Sequence, residues 1–179
     1  MFRTDARDAE GCPARERGCA VTIRPAGAAD VATLAAALGT PRYFADRVSR
    51  QAKGLGVLFT AWLGQEPVGD LYLWLEPAEE LPIRALLVDV PLLTHLEVRP
   101  SARNRGVGRA LVEAAERHLG HGRVALAVRT DNDDAARLYR RLGYDDWGHG
   151  TVVCYAEHLH PDGRTIREAE QCHVLVKTL

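Results

Sequence analysis

A segment rich in arginine and glycine, VRPSARNRGVGRALVEAAE at residues 98–116, points most directly to chemistry. From Ala110 onward its composition predicts a helix, because Ala, Leu, Val and Glu predominate and no helix breaker interrupts them. A helix N-terminus carries partial positive charge and favours carboxylates. Four arginines lie there instead, namely Arg99, Arg103, Arg105 and Arg109. A strongly anionic ligand at this N-terminus would account for them, as would a solvated basic surface.

The two glycines of the segment favour the anion. Gly106 and Gly108 let a ligand approach the backbone closely, and the loop and first helical turn present unpaired N–H groups. Arg103, Arg105 and Arg109 add positive charge, so the arrangement suits a diphosphate. A solvated turn would explain the arginines but not two glycines at a strand-to-helix junction. The chain has no P-loop, and the third glycine of a dinucleotide-binding fingerprint is missing.

Length and composition indicate one globular domain. The chain has 179 residues, of which 46% are hydrophobic and 26% charged, and its formal net charge is −1. Near-neutral charge argues against a general nucleic-acid binder, and no apolar run reaches the roughly 18 residues of a membrane span. The polar first ten residues lack a signal-peptide core, so a cytoplasmic protein is expected. Residues 1–19 predict a flexible tail and residues 20–179 the folded domain.

No metal site is expected from the histidines and cysteines. The four cysteines include no CxxC pair, which argues against zinc. His158, His160 and His173 fall on the two C-terminal strands, but scattered histidines on a hairpin are more common than a metal site there.

The apolar runs predict an α+β domain with the element order β-α-α-β-β-β-α-β-α-β-β. Hairpin signals occur at Gly64–Pro67 and at Asp162–Gly163. The segment PAEELPIRA is predicted as a loop, and LLVDVPLLTHLEV as a long extended stretch that Pro91 interrupts. The strand, helix and strand between residues 87 and 128 predict a parallel crossover, flanked by antiparallel hairpins. The hairpin aromatics Trp62, Tyr72 and Trp74 are expected in the core.

Two motifs resemble those of the GCN5-related N-acetyltransferases (GNAT). The first has the pattern Leu-x-Val-x-Pro, followed by Arg-x-x-Gly-x-Gly. Its positions are filled by Leu96, Val98, Pro100, Arg103, Gly106 and Gly108. The second, NDDAARLYRRLGY, matches at Asn132, Ala135, Tyr139, Gly143 and Tyr144. The resemblance implies the GNAT fold over residues 20–179: a mixed, mostly antiparallel sheet with a central splayed parallel strand pair and helices on both faces.

The resemblance also implies acetyl-CoA as co-substrate and assigns residues to its parts. The pyrophosphate would be bound by Arg103, Asn104, Arg105, Gly106, Val107, Gly108 and Arg109. The pantetheine arm would pair with the backbone of Leu96, Glu97 and Val98, in the gap between the splayed strands. Asn132 would bond the pantetheine, and Tyr139, about 10 Å further along the helix at 1.5 Å per residue, would reach the sulfur.

The implied reaction is direct transfer without a metal or an acyl-enzyme. A neutral amine attacks the thioester carbonyl, which the backbone N–H near Val98 polarises, and a tetrahedral intermediate forms. Tyr139 then protonates the departing thiolate as general acid. Outside the motif, Tyr139 would be interpreted as a core aromatic.

The proton acceptor is not assigned by the sequence. Relatives that acetylate protein N-termini often carry Glu where Ala127 stands, and other relatives carry Glu or His where Leu92 and Thr94 stand. His95 and Glu97 lie nearby but have the opposite strand parity, so they are expected to face away from those positions. A chain of waters is the alternative.

The expected acceptor is a small-molecule amine, with Tyr43, Phe44 and Asp46 as candidate wall residues. A protein or peptide amine is an alternative that Ala127 disfavours, and a non-catalytic CoA-binding sensor is another. The C-terminal strands would leave an exposed edge, so a homodimer through them is expected.

Overall fold

Alternating apolar runs become the strands of a single sheet, and amphipathic segments become the helices that cover it. The computed structural model describes residues 20–159 and 165–179. The predicted tail, residues 1–19, and the Asp162–Gly163 turn lie outside the described residues. The strands are β1 Val21–Pro25, β2 Gly56–Leu63, β3 Glu66–Trp74, β4 Leu92–Val98, β5 Arg123–Arg129, β6 Asp145–Leu159 and β7 Thr165–Thr178. The helices are α1 Val31–Leu38, α2 Pro41–Ala52, α3 Leu81–Leu86, α4 Val107–Leu119 and α5 Asp133–Arg141.

The sheet has seven strands in the order β1-β2-β3-β4-β5-β7-β6. All neighbours are antiparallel except β4 and β5, which are parallel. The parallel pairing consists of only two residue pairs, Leu92 with Ala125 and Leu93 with Leu126, after which the two strands separate. The predicted central splayed pair is confirmed.

Helices cover both faces of the sheet, as predicted, because the strands bury side chains on both sides. Leu111 and Val112 of α4 and Tyr139 of α5 pack into one core cluster. Leu34 of α1 and Phe44 of α2 pack into a second cluster on the opposite face. The second cluster also contains the three hairpin aromatics Trp62, Tyr72 and Trp74, which confirms them as core residues.

Two predictions for the segment before β4 were wrong. Residues 81–86 form α3 rather than a loop, with Pro82 in the first turn, where its missing N–H breaks no helical hydrogen bond. The burial of Ile83 anchors this short helix to the core. β4 begins at Leu92, so Pro91 precedes the strand rather than interrupting it, and its carbonyl accepts a hydrogen bond from Ala125 N at 3.0 Å. In the described part of the chain, none of the helices has the length and apolar character needed to cross a membrane.

Candidate active site

The arginine-rich loop leads into an α4 N-terminus that no side chain caps. Asn104 and Gly106 have left-handed backbones, with φ of 59° and 79°, so the chain turns sharply before the helix begins at Val107. No side chain accepts a hydrogen bond at the N-cap, and the first turn contains no acidic residue. The first N–H groups of α4 are therefore left for an external acceptor.

The N-terminus of α5, unlike that of α4, is capped by a side chain and has acidic residues in its first turn. Asn132 Oδ1 accepts a hydrogen bond from Ala135 N at 3.1 Å, and Asp133 and Asp134 occupy the first turn. Both features compensate the partial positive charge of a helix N-terminus. The cap engages only the amide oxygen of Asn132, so its amide nitrogen stays available as a donor. The α4 N-terminus has neither a side-chain cap nor an acidic first turn, so it is suited to binding an external anion.

The four arginines near α4 differ in their partners. Arg99 pairs with Glu66, and Arg109 Nε donates to Glu113 at 2.7 Å. Arg103 Nε donates to the carbonyl of Val98 at 2.9 Å and so braces the loop against the end of β4. Arg105 has no hydrogen-bond or ion-pair partner among the residues whose side chains the structure describes, 20–155 and 166–179. It is therefore the guanidinium that is most readily available to a ligand.

One backbone edge of β4 is open beside this loop. On the β3 side, Val98 pairs with Gly69 and Glu97 with Asp70. On the β5 side, pairing stops at Leu93, so the 96–98 segment can accept an extended ligand as a strand would. A Cβ at Gly108 would lie 3.8 Å from Leu96 Cδ2 and 3.5 Å from Leu138 Cδ2. The α4 N-terminus, the open edge and α5 thus meet in one place.

Tyr139 lies on α5 next to Leu138. Its side chain is 7% exposed, and its ring packs edge-to-face on Tyr144 with centroids 5.7 Å apart. Burial raises the pKa of the Tyr139 hydroxyl well above its usual value, so the phenol stays protonated at physiological pH. Nothing in the described part of the chain forms a hydrogen bond with this hydroxyl, which is consequently free to donate to a ligand.

The prediction that His95 and Glu97 face away from the positions of Leu92 and Thr94 was wrong, because β4 carries a β-bulge. Thr94 pairs with Tyr72 and Glu97 with Asp70, so two residues of β4 stand opposite one residue of β3. His95 adopts a left-handed backbone conformation, with φ of 51°, which accommodates the extra residue of the bulge. The bulge reverses the alternation of side chains and places both residues on the face that α2 covers.

At the bulge, four side chains form a cluster, which we call the bulge cluster: Tyr43, Asp70, His95 and Glu97. The rings of Tyr43 and His95 stack with centroids 4.0 Å apart. His95 Nε2 lies 3.8 Å from Asp70 Oδ2 and 3.5 Å from Glu97 Oε2. Tyr43 donates its hydroxyl proton to Asp70 Oδ2 at 3.2 Å. Asp70 is fully buried, and its Oδ1 has no hydrogen-bond partner.

Burial controls the protonation of this cluster. It raises the pKa of Asp70 well above its usual value, and the charge of Glu97 adds to that rise. Burial also lowers the pKa of His95 to about 4, with a further contribution from the Arg47 guanidinium. The imidazole is therefore neutral at physiological pH and a weak base.

The bulge cluster was not predicted, and of the three candidate wall residues only Tyr43 belongs to it. Phe44 is a fully buried core residue, and Asp46 is exposed and pairs with Arg50 at 3.1 Å. One signal was present in the sequence, because Asp70 interrupts the apolar run of β3. The ligand atoms of Asp70, His95 and Glu97 lie within 4.8 Å of one another, a spacing that a metal ion could also use.

Of the three C-terminal histidines considered for a metal site, only His173 has a described side chain. His160 lies outside the described residues, as does the side chain of His158. His173 lies on β7 and pairs through its backbone with Val128 and Thr151.

A family model and solved structures that resemble this chain both point to acetyltransferases. Residues 32–144 match the family described as Acetyltransferase (GNAT) family. An acetyltransferase of the GNAT family from Streptococcus pneumoniae is similar in fold, with a TM-score of 0.64 at 20% identity, covering 89% of this chain and 100% of that one. Arabidopsis thaliana NAA60 in complex with acetyl-CoA has a TM-score of 0.64 at 18% identity, covering 89% of this chain and 99% of the other.

A curated relative shares a short segment. The uncharacterised protein ML0378 of Mycobacterium leprae is 43% identical over 53 residues. This match covers 30% of the present chain and 15% of the Mycobacterium leprae protein.

Proposed function

Since this chain belongs to the GNAT acetyltransferase family, we propose that it transfers the acetyl group of acetyl-CoA to a primary amine. One observation carries this proposal: the uncapped α4 N-terminus, with its free Arg105, lies beside the open edge of the 96–98 segment. A molecule that fits both features needs an anionic group joined to an extended arm with amide groups. The pyrophosphate and pantetheine of acetyl-CoA have these features.

Binding divides between the loop and the strand. The backbone N–H groups of residues 104–109 donate to the pyrophosphate, since the N–H of Arg103 already donates to the Pro100 carbonyl at 3.3 Å. Arg105 adds positive charge. The backbone of Leu96, Glu97 and Val98 pairs with the amides of the pantetheine. Asn132 uses the amide nitrogen that its capping role leaves free to donate to the same arm.

The transfer is direct. The neutral amine attacks the thioester carbonyl carbon, and the backbone N–H near Val98 stabilises the oxygen of the tetrahedral intermediate. As the carbon–sulfur bond breaks, the Tyr139 hydroxyl gives its proton to the thiolate and is reprotonated by the nitrogen. The high pKa of Tyr139 keeps this proton in place until the thiolate forms.

A small-molecule amine is the proposed acceptor. The net charge of −1 offers no broad field for a polyanionic or strongly basic macromolecule. Relatives that acetylate protein N-termini often carry Glu at the strand position that Ala127 occupies here. This position therefore does not support a protein amine as the acceptor.

The test is thiol release from acetyl-CoA in the presence of pooled aminosugars, amino acids, polyamines and short peptides. We expect release with a small-amine pool, together with calorimetric binding of acetyl-CoA. Release with the peptide pool alone would replace the small-molecule acceptor with a protein amine. Binding without release from any pool would indicate a CoA-binding sensor, and the absence of both would refute the proposal.

A homodimer is also proposed, through the free edge of β6, which is the outermost strand of the sheet. Val153 and Tyr155 of this strand are exposed, at 44% and 53%. Sedimentation equilibrium tests the dimer: a monomer at all concentrations would exclude it, and Val153→Lys should weaken it.

A further inference from the structure

We infer that Arg47 of α2 binds a carboxylate group of the acceptor, so that the acceptor is a small amino acid rather than a simple amine. This inference rests on the proposed acetyl transfer and names the class of acceptor for it. Arg47 thereby determines specificity and takes no part in the proton transfers.

Three aromatic rings hold the Arg47 guanidinium in place. Its carbon Cζ lies 5.2 Å from the ring centroid of Tyr43, 4.8 Å from that of Tyr72 and 5.3 Å from that of Trp74. Cation–π contacts of this length stabilise a guanidinium without using its N–H donors. The guanidinium is therefore oriented before a ligand arrives, and its donors remain available to that ligand.

Most of these donors have no partner within the protein. A guanidinium has five N–H donors. Arg47 Nη1 donates to Asp46 at 3.2 Å, at the surface, whereas Arg47 Nε is buried and has no hydrogen-bond partner. Among the described side chains, the other buried polar atoms without a partner are Asp70 Oδ1 and the Tyr72 hydroxyl, on the face of β3 that α2 covers. Because buried polar groups are nearly always paired, this concentration indicates a place where a polar ligand binds.

Arg50, one turn further along α2, has its charge neutralised within the protein. Its Cζ also lies over the Trp74 ring, at 4.8 Å. Its donors pair with Asp46 at 3.1 Å and with Glu76. Arg50 therefore has two carboxylate partners, whereas Arg47 has only a share of Asp46. Of these two stacked guanidiniums, Arg47 is the one that can accept a further anion.

The position of Arg47 suits an acceptor that meets the thioester. The pantetheine arm is proposed to follow the open edge of β4 from Val98 to Leu96, and His95 is the next residue along that path. The His95 ring stacks on Tyr43 with centroids 4.0 Å apart, and Arg47 contacts the same tyrosine ring. An amino acid whose carboxylate binds Arg47 can therefore extend its amine past Tyr43 towards the thioester.

The charges on this face favour an anion over a cation. Burial holds Asp70 towards its neutral form by raising its pKa, and it keeps His95 neutral by lowering its pKa to about 4. The Arg47 guanidinium contributes to the low pKa of His95, so its positive field reaches the bulge cluster. Asp46 and Glu97 are more than half exposed, and solvent weakens their opposing effect. The same field opposes a metal ion in the bulge cluster.

The test compares amino acids with their own amides. Glycine, β-alanine, 4-aminobutanoate and larger α-amino acids are assayed for thiol release beside the matching carboxamides. We expect kcat/KM for the best acid to exceed that for its amide by about 10–100-fold, the range for one hydrogen bond between charged groups. Amine availability would act in the opposite direction, because the amine of an amide is less basic and more of it is neutral at pH 7.

Substitutions on α2 assign the preference to one guanidinium. Arg47→Gln should lower kcat/KM for the acid about 10–100-fold, mainly through KM, and change that for the amide less than about threefold. Arg47→Lys keeps the charge but not the paired donors, so it should retain part of the preference. Arg50→Gln is the matched control and should keep the wild-type ratio of acid to amide. This ratio is insensitive to a loss of folded protein, because both substrates are measured on one preparation.

Calorimetry gives a measurement that needs no turnover. With CoA present, the amino acid should bind Arg47→Gln about 10–100-fold more weakly than the wild type. Equal binding by the two proteins, or equal kcat/KM for acids and amides in the wild type, would refute the role of Arg47. In that case thiol release with either substrate would leave acetyl transfer intact. Binding that depends on Arg47 without thiol release from any amine would support the carboxylate site and refute the proposed transfer.

Discussion

Replacing Tyr139 with Phe removes one oxygen from the proposed active site and leaves the packing in place. The ring is 7% exposed and keeps its edge-to-face contact with Tyr144. Since no residue in the described ranges is hydrogen-bonded to the hydroxyl, its loss breaks no bond within the protein. The free energy of unfolding should therefore change by less than about 1 kcal/mol. For a chain of this length, such a change moves Tm by roughly 2–4 °C at most.

The effect of Tyr139→Phe on chemistry should be much larger. A general acid contributes about 10²–10⁴-fold to a rate, so kcat should fall at least about 100-fold, or about 2.7 kcal/mol in activation free energy. The acetyl-CoA Kd should stay within about threefold, because the hydroxyl acts on the leaving sulfur and not on the arm that binds. Single-turnover thiol release measures kcat, and calorimetry measures Kd.

Tyr144→Phe is the matched control, on the partner ring. Its hydroxyl donates to Glu116 at 2.9 Å, and Glu116 also pairs with Lys177 at 2.8 Å. Its removal should lower stability by about 1–2 kcal/mol, as for a hydrogen bond to a charged group, and leave kcat unchanged. A kcat for Tyr139→Phe within threefold of the wild type would refute its role as the acid. A parallel loss of kcat and stability would indicate a structural role instead.

Other substitutions test the binding site and the fold. Gly106→Val and Gly120→Val both force Val into a left-handed backbone, φ 79° and 77°, so each should lose about 1–3 kcal/mol of stability in urea. Only Gly106→Val should abolish acetyl-CoA binding in calorimetry; equal binding by both variants would contradict the pyrophosphate site. Gly69→Ala would place Cβ 2.6 Å from the Glu97 carbonyl, so stability should fall by about 1–3 kcal/mol, and an unchanged urea midpoint would contradict this packing. The Arg24 guanidinium holds the pKa of Asp30 below its usual value, so this pair stabilises the fold above about pH 4 and loses its effect as pH falls. Arg24→Ala should therefore reduce the dependence of stability on pH between about 5 and 2, whereas an identical dependence in both proteins would show that Asp30 is not coupled to Arg24.

Most elements were predictable because each has a local cause in the sequence. Pro41 at the start of α2 and Gly120 after α4 act within one helical turn, and their effects need no tertiary context. The β5 strand was recognisable as a continuous apolar run, since both of its faces are buried. The loop residues could be proposed for a diphosphate because positive charge and glycine coincide within a few positions.

The prediction failed where a tertiary contact decides the local structure. The helix α3 has only six residues, too few for a helical period to stand out, and the burial of Ile83 stabilises it. The bulge at His95 depends on the register between β3 and β4, which no single segment encodes. Because one extra residue reverses strand parity, His95 and Glu97 were both assigned to the wrong face.

The proposed reaction is tested most directly by counting products. The protein is incubated with acetyl-CoA carrying a labelled acetyl group and with the amine pool that releases most thiol. Mass spectrometry then quantifies the labelled amide while thiol release is followed in the same sample. We predict one labelled amide for each thiol released, and loss of both in Tyr139→Phe. Thiol release without labelled amide would show that acetyl-CoA is hydrolysed rather than used for transfer to an amine, and would contradict the proposed function.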